Sequence, residues 1–223
     1  MWSDLFYPDN PKRREQLIRK SQKLQDLMKG NFYATNQLID AMNEHLNCSF
    51  DYIELDENVT LQENCNVMIE CMQKVQAKIE QIDKELKEKL DPTLYEKLRN
   101  KSLSTTDFQL ISNIMEGVYG VATLGSTTLV SLLIDKGVIL AKITNTFAKI
   151  GTITFASVGL GVAFMGIDMI VQAILGSVER EQLKEALAEY DKSLKEFEPA
   201  SLKYQYNIIK VQVKIDEMNE QEM

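Results

Sequence analysis

The chain has 223 residues, of which 44% are hydrophobic and 26% charged, and its net charge is −8. This length and composition suffice for one large domain or for a helical bundle with extensions. The negative charge and the lack of a clustered basic surface argue against nucleic acid as the principal partner. Cys48, Cys65 and Cys71 lack CxxC spacing and His45 is the only histidine, so neither a disulfide framework nor a zinc site is predicted, and a reducing compartment fits best.

The first predicted helix runs from Asn10 to about Leu46. Asparagine can cap the free amides of a helix, and the following Pro11 is tolerated at the first helical position. Apolar residues spaced by three, four or their multiples predict one buried stripe along this helix. Its members are Leu17, Leu24, Met28, Phe32, Leu38, Met42 and Leu46.

A polar connection at residues 49–58 follows the first helix. It lies within residues 32–73, which contain no lysine or arginine and accumulate acidic residues. This pattern predicts a face exposed to water or, as the alternative, to a basic partner.

The second predicted helix carries the most regular pattern in the chain. Its apolar residues alternate in steps of four and three over more than three repeats, which is a heptad seam typical of a helix that packs against a partner helix. That partner helix belongs either to this chain or to another copy. The seam residues are Leu61, Cys65, Met68, Met72, Val75, Ile79, Ile82 and Leu86. Because Cys65 lies in the seam and Cys71 off it, we expect Cys71 to be the more reactive of the two thiols.

The rest of the helical pattern is interrupted by proline and polar residues. Asp91 and Pro92 end or restart the second helix, residues 93–99 can form a short helical piece, and Ser104 with Asp107 resembles the capping box of a third helix. The last helix has an apolar stripe before Pro199, consisting of Leu183, Leu187, Tyr190, Leu194 and Phe197. After a kink or short break at Pro199 we expect it to resume as Leu202, Tyr206, Ile209 and Val213.

A glycine-rich apolar stretch precedes the last helix. Residues 150–178 contain one charged residue, Asp168, and a bilayer core takes about 20 residues of helix, so a transmembrane or hairpin segment is predicted. A shorter apolar stretch at residues 118–134 can pack beside it. The alternative is a helix buried on all sides inside a soluble bundle. The side chains expected to contact lipid are Ile150, Ile153, Phe155, Val158, Leu160, Gly161, Val162, Phe164 and Ile167.

No pattern typical of an enzyme or cofactor site is present in the sequence. Gly159, Gly161 and Gly166 have neither dinucleotide-binding spacing nor the Gly-Lys-Ser/Thr of a phosphate loop. With a single histidine and no cysteine or serine in a recognisable nucleophile setting, we expect a non-enzymatic protein without cofactor or metal.

Three strings in the chain resemble a known family: LFYPDNPKRRE at residues 5–15, LDPTLYEKL at 90–98 and GIDMIVQAILGSVE at 166–179. They are similar to the vertebrate single-pass membrane and coiled-coil domain-containing proteins, and the likeness extends over nearly the full length. The resemblance implies one membrane span and coiled-coil helices, and it attaches no chemistry to the strings. One span agrees with residues 150–175, but a second apolar stretch is not implied.

These patterns predict an all-α fold in which long amphipathic helices form a coiled-coil-like bundle with a glycine-rich apolar segment. We divide it into an N-terminal helical region (1–103), a third helix with the first apolar stretch (104–149), a candidate transmembrane segment (150–178) and a C-terminal amphipathic helix kinked at Pro199 (179–223). The favoured function is a membrane-anchored structural or adaptor protein that recruits a helical partner or self-associates, with its coiled-coil regions in a reducing, cytosolic compartment. The alternative is a soluble bundle whose concealed apolar hairpin inserts into membranes to form pores or remodel them.

Overall fold

The computed structural model describes residues 9–59, 61–100, 102–120, 126–131, 133, 144–146, 148 and 180–220. Across these ranges the regular secondary structure is helical and no strand occurs, so the all-α prediction is confirmed. The helices are α1 (Asn10–Leu46), α2 (Leu61–Lys89), α3 (Pro92–Asn100), α4 (Thr105–Tyr119) and α5 (Arg180–Glu220). Residues 126–131 form a further short helical segment.

The predicted membrane segment at residues 150–178 lies outside the described residues, as do all the side chains expected to contact lipid. In the ranges that are described, none of the helices is both long enough and apolar enough to cross a membrane. Of the shorter apolar stretch, Leu129, Val130 and Leu133 are described, and all three are buried.

Helix α1 has the predicted length and the predicted buried stripe. All seven stripe residues from Leu17 to Leu46 are buried. The helix ends because Asn47 adopts a left-handed backbone conformation with φ of 48°, and the amide of Cys48 then donates to the carbonyl of Met42 at 3.3 Å. This bond reaches back six residues across Asn47, and a left-handed residue at this place is a common way for a helix to end.

Helix α2 is continuous over the predicted seam. The side chain of Leu61 is not described, and the other seven seam residues, from Cys65 to Leu86, are buried within this single chain. Their packing partners therefore lie in the same chain, and the pairing of α2 as a coiled coil stays a prediction.

Capping residues set the ends of α4. Ser104 Oγ accepts from the Asp107 amide at 3.2 Å, and the Asp107 carboxylate accepts from the Ser104 amide at 2.9 Å, which confirms the predicted capping box. Lys97 of α3 adds an ion pair to Asp107 at 3.0 Å. At the other end Gly120 has φ of 69°, a left-handed conformation that glycine adopts without a Cβ clash.

Contacts divide the chain into two units, each made of segments far apart in sequence. The first comprises Met1–Phe32, Glu54–Glu70 and Ile143–Lys203. In it, α1 and α5 are joined by ion pairs of Lys20 with Asp191 and of Lys23 with Glu198, and by a hydrogen bond from Asn31 Nδ2 to Ser201 Oγ at 2.8 Å.

The second unit comprises Tyr33–Ile53, Cys71–Lys142 and Tyr204–Met223. Its α1 and α5 segments meet through Thr35 Oγ1 and the Tyr204 hydroxyl, 2.9 Å apart, and through a bond from Gln212 Nε2 to the Gln37 carbonyl at 3.2 Å. The Tyr204 hydroxyl also lies 3.7 Å from Met72 Sδ of α2. Burial raises the pKa of Tyr204, so its phenol stays neutral in this packed interior.

Candidate interaction surface

Helix α5 buries a different stripe after Pro199 from the one predicted. Its buried residues continue from Phe197 without a change of phase, in steps of four and three: Ser201, Tyr204, Ile208 and Val211. The predicted resumption as Leu202, Tyr206, Ile209 and Val213 is wrong, because these side chains are 52%, 57%, 59% and 47% exposed. The helix also has no break at Pro199, and a bend there stays a prediction.

Tertiary hydrogen bonds explain why the apolar pattern was misleading here. The buried side of α5 contains polar side chains whose polar atoms have partners on α1: Ser201 accepts from Asn31, and the Tyr204 hydroxyl pairs with Thr35. A buried polar group with a partner avoids the desolvation penalty that an unpaired group would carry. Hydrophobicity alone therefore could not reveal which side of α5 faces the interior.

The exposed apolar residues of α5 in the second unit form a surface that we call the α5 face: Tyr206, Ile209 and Val213. They are spaced by three and four residues, which places them together on one side of the helix. At 100° per residue this side is roughly opposite the buried Tyr204 and Ile208. One turn earlier on the same helix, in the first unit, Leu202 is exposed as well.

Lysine borders the α5 face. The Lys210 ammonium lies 4.6 Å from the centre of the Tyr206 ring, a cation–π contact that holds the ring against the helix. Between residues 199 and 215 the only charged residues are Lys203, Lys210 and Lys214, although the whole chain is acidic. This part of α5 is therefore apolar and basic.

The spacing of the α5 face distinguishes it from other exposed apolar side chains. Within the described ranges the remaining large ones are Tyr33, Tyr52, Val67 and Leu110. Each lies on a different helix or in the connection between helices, so none forms a stripe with another.

A second surface lies where the connection between α1 and α2 passes along α1. Asn43 Nδ2 donates to the Phe50 carbonyl at 2.9 Å, and Asn43 Oδ1 accepts from the Phe50 amide at 2.9 Å. Asn36 makes the same two bonds to Ile53, at 2.9 and 3.0 Å. Each amide thereby satisfies both backbone groups of one residue, and the connection runs antiparallel to α1.

Tyr52 adds a third contact between these two asparagines. Its hydroxyl donates to the carboxylate of Asp40, which lies between Asn36 and Asn43 on the same side of α1. This hydrogen bond and the negative charge of Asp40 raise the pKa of the Tyr52 phenol. We call this set the linker clasp: Asn36, Asp40 and Asn43 with Phe50, Tyr52 and Ile53.

The linker clasp was not predicted from the sequence. The same type of contact occurs once in the first unit, where the side-chain amide of Asn64 hydrogen-bonds to the carbonyl and the amide of Asp56 at 2.8 and 3.0 Å. Two features of the sequence accompany this pattern. Asn36 and Asn43 lie seven residues apart on α1, and the residues that asparagines bond in the connection, Phe50, Ile53 and Asp56, recur every third position.

No group of three metal-ligating side chains occurs among the described residues. In the first unit, a groove of about 480 Å³ is lined by Arg19, Lys20, Lys23, Asp191, Leu194, Lys195 and Glu198. Lys20 and Lys23 of this groove already pair with Asp191 and Glu198, so it is an ion-paired surface between two helices.

A family model described as "protein of unknown function (DUF4533)" matches residues 13–166, more than half of the chain. The chain belongs to this family. The DUF4533 match includes the linker clasp, α2, α3 and α4, and it ends before α5. No solved structure matches the chain.

Proposed function

We propose that this DUF4533 protein is a membrane-anchored adaptor that binds an amphipathic helix of a partner protein along the α5 face. The observation that carries the proposal is the exposed, regularly spaced apolar side of α5. Its anchor would be the apolar segment at residues 150–178, in line with the resemblance to single-pass membrane and coiled-coil proteins.

The α2 seam is a poor candidate for the same role. Its described residues are buried inside the single chain, so a partner could reach them only after α2 had separated from its neighbours. The α5 face needs no such rearrangement, because Tyr206 and Ile209 are more than half exposed.

A helix is the occupant that the spacing favours. One apolar residue per turn, in alternating steps of three and four, makes the narrow seam of helix-to-helix packing. Helices that lie on a lipid surface have a wider apolar side and more cationic residues. Tyrosine, as at position 206, is also among the residue types enriched at the centres of protein interfaces, because its ring buries a large area at low entropic cost.

Charge favours a partner whose apolar seam is flanked by glutamate or aspartate. Such carboxylates would pair with Lys210, which borders the α5 face. A second copy of this chain, docked through the same surface, would offer mainly lysine and the glutamines Gln205 and Gln212, because its nearest carboxylates, Asp216 and Glu217, lie one turn beyond Val213.

A designed peptide can test the binding proposal. The probe is an amphipathic helix with isoleucine and leucine at its seam and glutamate on both flanks, titrated into the full-length protein by fluorescence anisotropy. We expect binding by wild type that Ile209→Asp weakens at least about tenfold, the size of effect that marks a central interface residue. Leu110→Asp, on the exposed side of α4, is the matched control and should bind like wild type.

Three results would contradict this assignment. They are equal binding by the Ile209→Asp variant, self-association that this substitution abolishes, and attachment to phosphatidylserine vesicles through α5 without peptide binding. The second would identify another copy as the occupant of the α5 face, and the third a lipid surface.

The membrane anchor needs a separate experiment. Replacing Gly161 with arginine should cost about 2.5 to 3.5 kcal/mol of insertion, and carbonate-washed membranes should then retain less protein. Leu110→Arg is the control and should stay with the membranes. Wild type that is fully extracted by carbonate would refute the anchor, and detergent-free protein that leaks dye from liposomes would favour the pore-forming alternative.

A further inference from the structure

The linker clasp presents a tyrosine in non-helical backbone, whereas the comparably exposed tyrosines among the described residues lie in helices. Tyr52 is 60% exposed and belongs to the non-helical residues 51–56. Tyr33 and Tyr206 are 69% and 57% exposed, but they lie within α1 and α5. Exposure alone therefore does not distinguish Tyr52, and backbone conformation does.

A non-helical backbone matters for phosphoryl transfer to a protein. The acceptor hydroxyl must come in line with the γ-phosphate in the cleft of a kinase, so the chain on both sides of it has to lie along the enzyme surface. A tyrosine within a helix meets that requirement only after the helix unwinds. We propose that Tyr52 is a phosphorylation site and that its phosphate breaks the contact between the linker and Asp40.

The reaction transfers the γ-phosphoryl group of ATP to Tyr52 Oη by a protein tyrosine kinase. A bond forms between Tyr52 Oη and phosphorus, the bond from that phosphorus to the bridging oxygen of ADP breaks, and the phenol proton passes to the base of the kinase. The Tyr52 hydroxyl loses the proton that it donates to Asp40, so this hydrogen bond cannot survive the modification.

Repulsion between negative charges would then separate Tyr52, and with it the connection between α1 and α2, from Asp40. A phosphotyrosine carries a charge of about −1.5 to −2 at neutral pH. It would face Asp40 and have Asp51 and Glu54 beside it in the chain, while residues 32–73 contain no lysine or arginine to compensate. Like charges at hydrogen-bond distance repel, so the modified side chain turns to solvent.

The neighbouring backbone amides report this change. The amides of Phe50 and Ile53 donate to Asn43 and Asn36 and are protected from exchange while the linker lies on α1. Loss of the bond to Asp40, a hydrogen bond to a charged group, should accelerate their exchange by about tenfold or more.

The test uses full-length protein, ATP and a purified tyrosine kinase domain, with the phosphate on each tyrosine quantified over time by mass spectrometry. We expect Tyr52 to be modified at least about tenfold faster than Tyr33 or Tyr206, because local unwinding of a helix costs free energy. The urea-unfolded chain, cleaved to peptides, is the control and should lose most of this preference. Hydrogen exchange at Phe50 and Ile53 is then compared before and after phosphorylation.

The Asp40→Asn variant tests the release of the connection separately from the phosphorylation of Tyr52. This variant keeps an acceptor for the hydroxyl and removes the charge, so phosphorylation should accelerate exchange less than in wild type. Equal modification of Tyr33 in the native protein, or modification of Tyr52 only after unfolding, would overturn the site. Unchanged exchange at Phe50 and Ile53 in phosphorylated wild type would overturn the proposed release of the linker.

Discussion

The Asp107 carboxylate links α3 to the start of α4. Its pKa is lowered from the ordinary value of 3.8 to about 2, first by the hydrogen bonds from the amide and hydroxyl of Ser104 and then by the bond from Lys97. Because the folded pKa lies below the unfolded one, the contribution of Asp107 to stability is present above pH 4 and is lost as pH falls toward 2.

Replacing Asp107 with asparagine should therefore lower stability at neutral pH and matter less in acid. Urea unfolding of wild type and Asp107→Asn between pH 6 and about 3 measures the difference. We expect the gap in unfolding free energy to shrink as pH falls. A gap that stays constant over this range would refute the role of the ionised carboxylate.

The thiols differ in reactivity because they differ in burial. Burial raises the pKa of all three cysteines, to about 12 for Cys65, while Lys78 partly offsets the rise for Cys48. Cys71 is buried like Cys65 although it lies off the seam, and Cys48 is half-buried. Alkylation at pH 8 followed by mass spectrometry should modify Cys48 first, Cys71 next and Cys65 last. Modification of Cys65 before Cys48 would contradict this order, and equal rates in urea are the control.

At the scale of the element, two neighbouring isoleucines on α5 test which side of this helix is buried. Ile208 is 5% exposed and Ile209 59%, although they are adjacent in the chain. Ile208→Asp buries an unpaired charge and should destabilise the protein by about 3 kcal/mol or more, whereas Ile209→Asp should change stability by about 0.5 kcal/mol or less. Urea unfolding monitored by circular dichroism measures both variants. The opposite order would show that the predicted stripe through Ile209 was right after all.

How well the sequence predicted each element depended on whether its buried side is apolar. The stripe of α1 was predictable because seven apolar residues from Leu17 to Leu46 mark it, although Ser21 and Thr35 fill its two gaps, and the α4 cap because Ser104 and Asp107 form a local motif. The second half of α5 was not, since its interior includes Ser201 and Asn207.

The linker clasp was unpredictable for a different reason. Asn36 and Asn43 have no special meaning inside a helical pattern, because asparagine there is only a weak helix former. Their role depends on the path of a connection up to 17 residues away along the chain. Tertiary hydrogen bonds of this kind leave no periodic signal in the sequence.

At the scale of the whole molecule, the DUF4533 match and the α5 face lie in different parts of the chain. Residues 13–166 are matched, and α5 begins at Arg180. The chain has a net charge of −8, yet the charged residues at 199–215 are lysines alone. The proposed docking surface is thus basic although the whole chain is acidic. This favours an acidic partner over a second copy.

The most direct measurement of this account is a charge exchange at Lys210. Two peptides with the same apolar seam, one flanked by glutamate and one by lysine, are titrated into wild type and Lys210→Glu, and the four Kd values are compared. Wild type should prefer the glutamate peptide by about twofold to fivefold, as expected for an exposed ion pair, and the variant should prefer the lysine peptide. Binding of neither peptide, or the same preference in both proteins, would contradict the assignment of the α5 face as a docking surface for an acidic helix.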